Sequence, residues 1–86
     1  MPKPLAFTQH ARARMREYGI TELAVAEIVV APEWVEPDPQ PDVERRFRRL
    51  PELGGRFVRV ACIEDPDYIR VLSVFPDRDA RPPHAP

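Results

Sequence analysis

Apolar positions near the start of the chain recur at helical spacing. Phe7, Ala11, Met15 and Tyr18 are four, four and three residues apart, which sets them along one side of a helix. Thr8 is placed to cap that helix, and Gly19 supplies the left-handed residue that commonly ends one. The pattern predicts a first helix over residues 9–18, with Ile20 packing back on Met15. Thr21 is the next capping residue, and Ile20 with Val25 has hydrophobic-staple spacing. Residues 22–31 are apolar nearly all round, apart from Glu22 and Glu27. Their valines and Ile28 leave some strand character, but the capping signals favour a second helix, stopped by Pro32.

Beyond Pro32 the period changes. Pro37, Pro39 and Pro41 stiffen residues 32–43 into an extended connection, in which Trp34, Val35 and Glu36 form a short edge strand. Residues 44–50, 56–63 and 68–75 read as strands, broken by turn-forming residues at 51–55 and 64–67. A hairpin across 64–67 sets Cys62 opposite Ile69, Val60 opposite Val71 and Val58 opposite Ser73, on a face turned to the helices. The Pro- and charge-rich residues 77–86 are expected to fray. The result is an α+β fold over residues 1–76, with two N-terminal helices packed on one face of a three- to four-stranded antiparallel sheet.

Size and composition narrow the class. Eighty-six residues make one domain. Cys62 is the only cysteine, which excludes a disulfide scaffold and points to a reducing cytosol. No apolar run reaches the roughly 18 residues of a membrane span, so a soluble cytoplasmic protein is expected. Arginine supplies twelve of the thirteen basic residues, asparagine is absent and prolines number twelve, a composition of GC-rich bacterial genomes and, more weakly, of thermophiles. The net charge of −1 predicts no polyanionic partner, but its distribution is uneven. Residues 1–18 carry +3, 19–43 carry −6, 44–63 carry +4 and 64–86 carry −2. Folding can therefore gather two basic segments on one face.

Two groups of residues could carry chemistry. His10, Arg14 and Glu17 lie together beside the apolar side of the first helix, at spacings of four and three. Imidazoles exchange protons near neutral pH, and a guanidinium holds phosphate bidentately. Glu17 could orient either group. The competing reading is a surface ion pair between Arg14 and Glu17, with His10 packing locally. The second group is Glu44-Arg-Arg-Phe-Arg-Arg-Leu, followed by Arg56 and Arg59. Arginines on both faces of a strand mark either a charge-protected edge or the rim of an anion-binding surface. His10, Cys62 and His84 lack metal-ligand spacing, Gly54-Gly55 opens a strand and makes no phosphate loop, and Ser73 has no nucleophile motif around it.

The segment Phe7-Thr-x-His-Ala-x-x-Arg-Met-x-Glu-x-Gly-Ile-Thr resembles the opening of an uncharacterised bacterial family, domain of unknown function 4258. Arg56-Phe-Val-Arg-Val and Val71-Leu-Ser-Val-Phe-Pro resemble its strands, so the likeness spans roughly residues 7–76. Tyr18, where the family often has arginine, and the proline-rich connection depart from it. The family's layout is similar to that of the RelE- and BrnT-like toxin ribonucleases. That similarity implies a metal-independent endoribonuclease without cofactor, acting on RNA and held by a cognate antitoxin, or a degenerate relative of one. His10 would then transfer a proton, Arg14 and Arg59 would offset phosphate charge, and Arg46, Arg48 and Arg56 would contact RNA, with Glu17 supporting. The alternative is a non-catalytic interaction module or homodimer, joined through an edge strand such as residues 34–36.

Overall fold

A computed structural model of the chain describes residues 3–83. Thr8 starts the first helix as its sequence position predicts, its side chain accepting from Ala11 N–H, and α1 runs Gln9–Tyr18. Gly19 ends it at φ 68°, a left-handed conformation in which a side chain would be strained. Thr21 caps α2, Glu22–Val30, in the same way. Three residues, Gly19, Ile20 and Thr21, separate the helices. Ala11 and Met15 of α1, with Ala24, Val25, Ile28 and Val29 of α2, are buried in one core.

The sheet departs from expectation in number and direction of strands. It has five: β1 Leu5–Phe7, β2 Trp34–Pro37, β3 Glu44–Leu50, β4 Arg56–Glu64 and β5 Ile69–Pro76, in the order β1-β5-β4-β3-β2. It is mixed, because β1 runs parallel to β5 while the other pairs are antiparallel. β1 is three residues long and shares Phe7 with the helical pattern, so alternation does not announce it. Trp34–Pro37 is an edge strand as expected, but residues 38–43 close a hairpin to β3 instead of running on extended. Asp38 N–H donates to the Val43 carbonyl, and the Asp38 carboxylate accepts from Gln40 N–H.

Both helices cover the face that carries Leu50, Val58, Val60, Cys62, Ile69, Val71 and Val74. The opposite face holds a smaller cluster, in which Trp34 stacks on Phe47 at 4.7 Å and meets Phe57 edge-on at 5.1 Å. Ala80 is buried in that cluster, so the start of the segment expected to fray is anchored there, with Asp77 N–H bonded to the Phe57 carbonyl. Residues 84–86 lie outside the described residues.

The β4–β5 register also differs from the expected one. Cys62 pairs with Val71, Val60 with Val74 and Val58 with Pro76. The four-residue loop 65–68 lets Glu64 pair with Ile69, which shifts the hairpin by two residues. A register shift then falls between Ala61 and Cys62, where Ala61 pairs with Ser73 and Leu72 is left over. One extra residue reverses the faces of everything beyond it. Val74 therefore takes the core position that strict alternation would give Ser73. No helix among the described residues is long and apolar enough to cross a membrane.

Candidate functional site

The bulge at Leu72 is where α1 is fixed to the sheet. Thr8 N–H donates to the Val71 carbonyl, and Thr8 Oγ1 donates to the Leu72 carbonyl at 3.1 Å while accepting from Ala11 N–H at 3.0 Å. One threonine thus caps the helix and ties its first turn to the irregular point of β5. Just past that point, Ser73 and Phe75 emerge beside α1. With His10, Arg14 and Tyr18 they line a hollow of about 210 Å³. His10 is exposed and Arg14 half-buried. Arg14 Nη1 donates to Glu17 Oε1 at 2.8 Å, the surface ion pair foreseen as the competing reading.

Phe75 connects this hollow to the strand arginines. The Arg59 guanidinium lies over its ring at 4.2 Å, a cation–π geometry, and Arg59 pairs with Phe75 across the β4–β5 ladder. Arg59 also sits 3.5 Å from the Asp77 carboxylate. Partial burial, and then the neighbouring Arg45 cation, push the Arg59 pKa down, while Asp77, Asp38 and Glu36 act against them. A cation short of solvent and next to another cation favours an incoming anion. Arg45 itself donates to Asp38 at 2.7 Å. The Asp38 carboxyl is held below the usual range by the Gln40 N–H and by Arg45.

Arg46 and Arg48, expected to contact RNA, have other work. They lie on the helix-bearing face, since Arg46 pairs with Val60 and Arg48 with Val58. Arg46 donates to the Val29 carbonyl at 2.9 Å and to Glu64 at 2.9 Å, with only 11% of its side chain exposed. Arg48 donates to the Ala31 carbonyl at 2.8 Å. Both therefore cap the carboxyl end of α2, where the last helical carbonyls lack backbone partners. Glu64, also bonded to Lys3, is held below the usual carboxylate range by Lys3 and then by Arg46. Arg56 lies apart from His10, at the start of β4, in a separate hollow with Phe57, Arg78 and Arg81. Cys62 is buried, which raises its thiol pKa and keeps it in the unreactive protonated form.

The structure thus brings together His10, Arg14 and Glu17, with Arg59 reached across Phe75. It adds Tyr18, Ser73 and Phe75, which the sequence reading assigned to the core or left unused. The signal for the last two was a serine standing where alternation from Ile69 and Val71 demands an apolar residue. Among the described residues, no group of three or more His, Cys, Asp or Glu side chains is arranged to hold a metal ion, and His84 lies outside them.

No curated protein and no solved structure is significantly similar to the chain. A family model matches residues 7–76, a span that runs from the last residue of β1 to the end of β5 and takes in Thr8, the α1 stripe and the Leu72 bulge; by that match the chain belongs to the family described as Domain of unknown function (DUF4258).

Proposed function

We propose that this protein is a cytosolic RNA-directed endoribonuclease that works without metal, through the hollow between α1 and β5. The observation that carries the reading is the grouping of His10, Arg14, Ser73 and Phe75, with Arg59 stacked on Phe75. In this chemistry the RNA 2′-oxygen attacks the adjacent phosphorus and the bond from phosphorus to the 5′-oxygen breaks. The products are a 2′,3′-cyclic phosphate and a 5′-hydroxyl. His10 accepts the 2′-hydroxyl proton, and the leaving 5′-oxygen takes one from water. Arg14 and Arg59 offset charge on the phosphorane, while Phe75 and Tyr18 offer rings against which bases stack. The test is cleavage of a labelled single-stranded RNA in EDTA by the purified chain. His10→Ala is expected to lower the rate at least about 100-fold. RNA left intact by the unaltered protein overturns the reading.

A second reading has its own observation. Leu23 is 81% exposed, Val30 64% and Val35 45%, and Leu23 and Val30 lie two turns apart on α2. Such an unpartnered apolar face suits a protein partner, an antitoxin or a second copy of the chain. Sedimentation of the unaltered chain and of a Leu23→Glu, Val30→Glu double variant separates these readings. A concentration-dependent dimer lost in the variant supports this one, and a monomer at every concentration removes the homodimer.

A further inference from the structure

Where β5 ends, at Pro76 and Asp77, a second hollow of about 390 Å³ opens beside the start of β4. Its floor is apolar and stiff, made of Phe57, Pro76, Ala80 and Pro82, and Phe57 is held by the edge-on contact with Trp34. Its rim carries Arg56, Arg78 and Arg81. The carboxylate there, Asp77, is already engaged, lying 3.5 Å from Arg59 and accepting from Asp79 N–H.

The arginines of this rim differ from most others in the chain. Among the described residues, Arg12, Arg14, Arg45, Arg46, Arg49, Arg59 and Arg70 each lie within ion-pair distance of a carboxylate. Arg56, Arg78 and Arg81 do not. Arg81 Nη1 donates instead to the carbonyls of Arg78 at 3.2 Å and Ala80 at 3.0 Å, which leaves its remaining N–H groups without a partner among the described residues and steadies it at the rim. Three uncompensated cations would be poorly used by a neutral ligand, and a rigid apolar floor by a simple inorganic anion. A ligand that uses both has a flat ring and a phosphate close together. Proline and phenylalanine faces receive such a ring with little ordering cost, and guanidinium forks match phosphate oxygens.

We infer that this hollow binds a nucleoside 5′-monophosphate, either as a free nucleotide or as the 5′-terminal residue of an RNA strand. The inference stands without cleavage at His10, although an RNA end seated here would lie close to the Arg59–Phe75 pair.

The experiment is an amide NMR titration of the full chain with AMP, adenosine, inorganic phosphate, and a short oligoribonucleotide with and without a 5′-phosphate. Saturable AMP shifts at Phe57 and Ala80, with adenosine and phosphate each at least 10-fold weaker, are expected. An Arg78→Ala, Arg81→Ala double variant with unchanged spectral dispersion should bind AMP at least 10-fold more weakly. Tighter binding of the 5′-phosphorylated oligonucleotide than of AMP assigns the site to RNA ends, and equal or weaker binding assigns it to the free nucleotide. Absence of saturable AMP shifts, or undiminished binding by the double variant, overturns the inference. His10→Ala is expected to leave AMP binding unchanged, so loss of the cleavage reading and loss of this one are separately visible.

Discussion

Thr8 satisfies two polar groups that would otherwise lack partners, an N–H at the start of α1 and the carbonyl of Leu72. Valine at this position keeps the shape and loses both bonds. Thr8→Val is therefore expected to destabilise the chain by about 1–2 kcal/mol in urea unfolding, with Thr8→Ser recovering most of it. Because the same residue fixes α1 to β5, the valine variant should also broaden the amide signals of His10 and Ser73 more than those of β3. Two carboxylates act differently. Asp38 and Glu64 both titrate below their ordinary range, Asp38 through Gln40 N–H and Arg45, Glu64 through Lys3 and Arg46. A group whose folded pKa is depressed contributes stability that is complete above its unfolded pKa, and that stability disappears as pH falls through the folded value. The midpoint of thermal unfolding should thus fall as pH drops below about 4, near the unfolded carboxylate value. An Asp38→Asn, Glu64→Gln double variant should start lower at pH 7 and fall less on acidification.

At the scale of elements, the extra residue Leu72 decides which side chains border α1. Removing it would restore plain alternation with Ser73 still outside the core and Val74 still in it, but would take away the Leu72 carbonyl to which Thr8 Oγ1 donates. The Leu72 deletion is expected to keep unfolding cooperative but to destabilise the chain by about 1 kcal/mol in urea, since Thr8 Oγ1 loses its carbonyl partner and α1 its tie to β5. A deletion variant as stable as the unaltered chain would show that the bulge is dispensable. The same bulge explains which parts of the fold were legible. Helices announced by Thr8, Gly19 and Thr21 could be read because each signal sits within a turn of the structure it controls. The pairing of β4 with β5 could not, because a two-residue slip near the turn leaves alternation unchanged, and the bulge that flips the faces from Ser73 onward is set by how the two strands meet. β1 was hidden for another reason. Leu5–Phe7 becomes a strand only because β5 offers a parallel edge more than sixty residues later. Arginine positions in β3 were legible as a pattern but not as a purpose. Arg46 and Arg48 look like an anion-binding rim until the helix carbonyls they cap, Val29 and Ala31, are folded against them.

Over the whole molecule, the alternation of basic and acidic segments does not produce a uniformly basic face, because most of the charge is consumed internally. The acidic residues 19–43 meet the basic strand directly, through Asp38 with Arg45 and Glu33 with Arg49, so the two largest opposing charges along the chain largely cancel in space. Among the described residues five arginines have no carboxylate partner: Arg16 stands on α1, Arg48 is spent on the Ala31 carbonyl, and the other three rim one hollow. This sets the expected ionic-strength dependence of RNA binding. Each phosphate neutralised on a single strand contributes a slope of about −0.7 in log K against log salt, so Arg56, Arg78 and Arg81 together give about −2. Arginines already held by carboxylates add little, because the released carboxylate offsets the gain. Fluorescence anisotropy with a 5′-phosphorylated single-stranded RNA, measured across salt, should therefore yield a shallow line near −2. The Arg78→Ala, Arg81→Ala variant should flatten it to about −0.7. A slope near −4 would require Arg45, Arg49 and Arg59 to abandon Asp38, Glu33 and Asp77 and join the three rim arginines, and would replace local recognition at one hollow with binding along the whole basic strand.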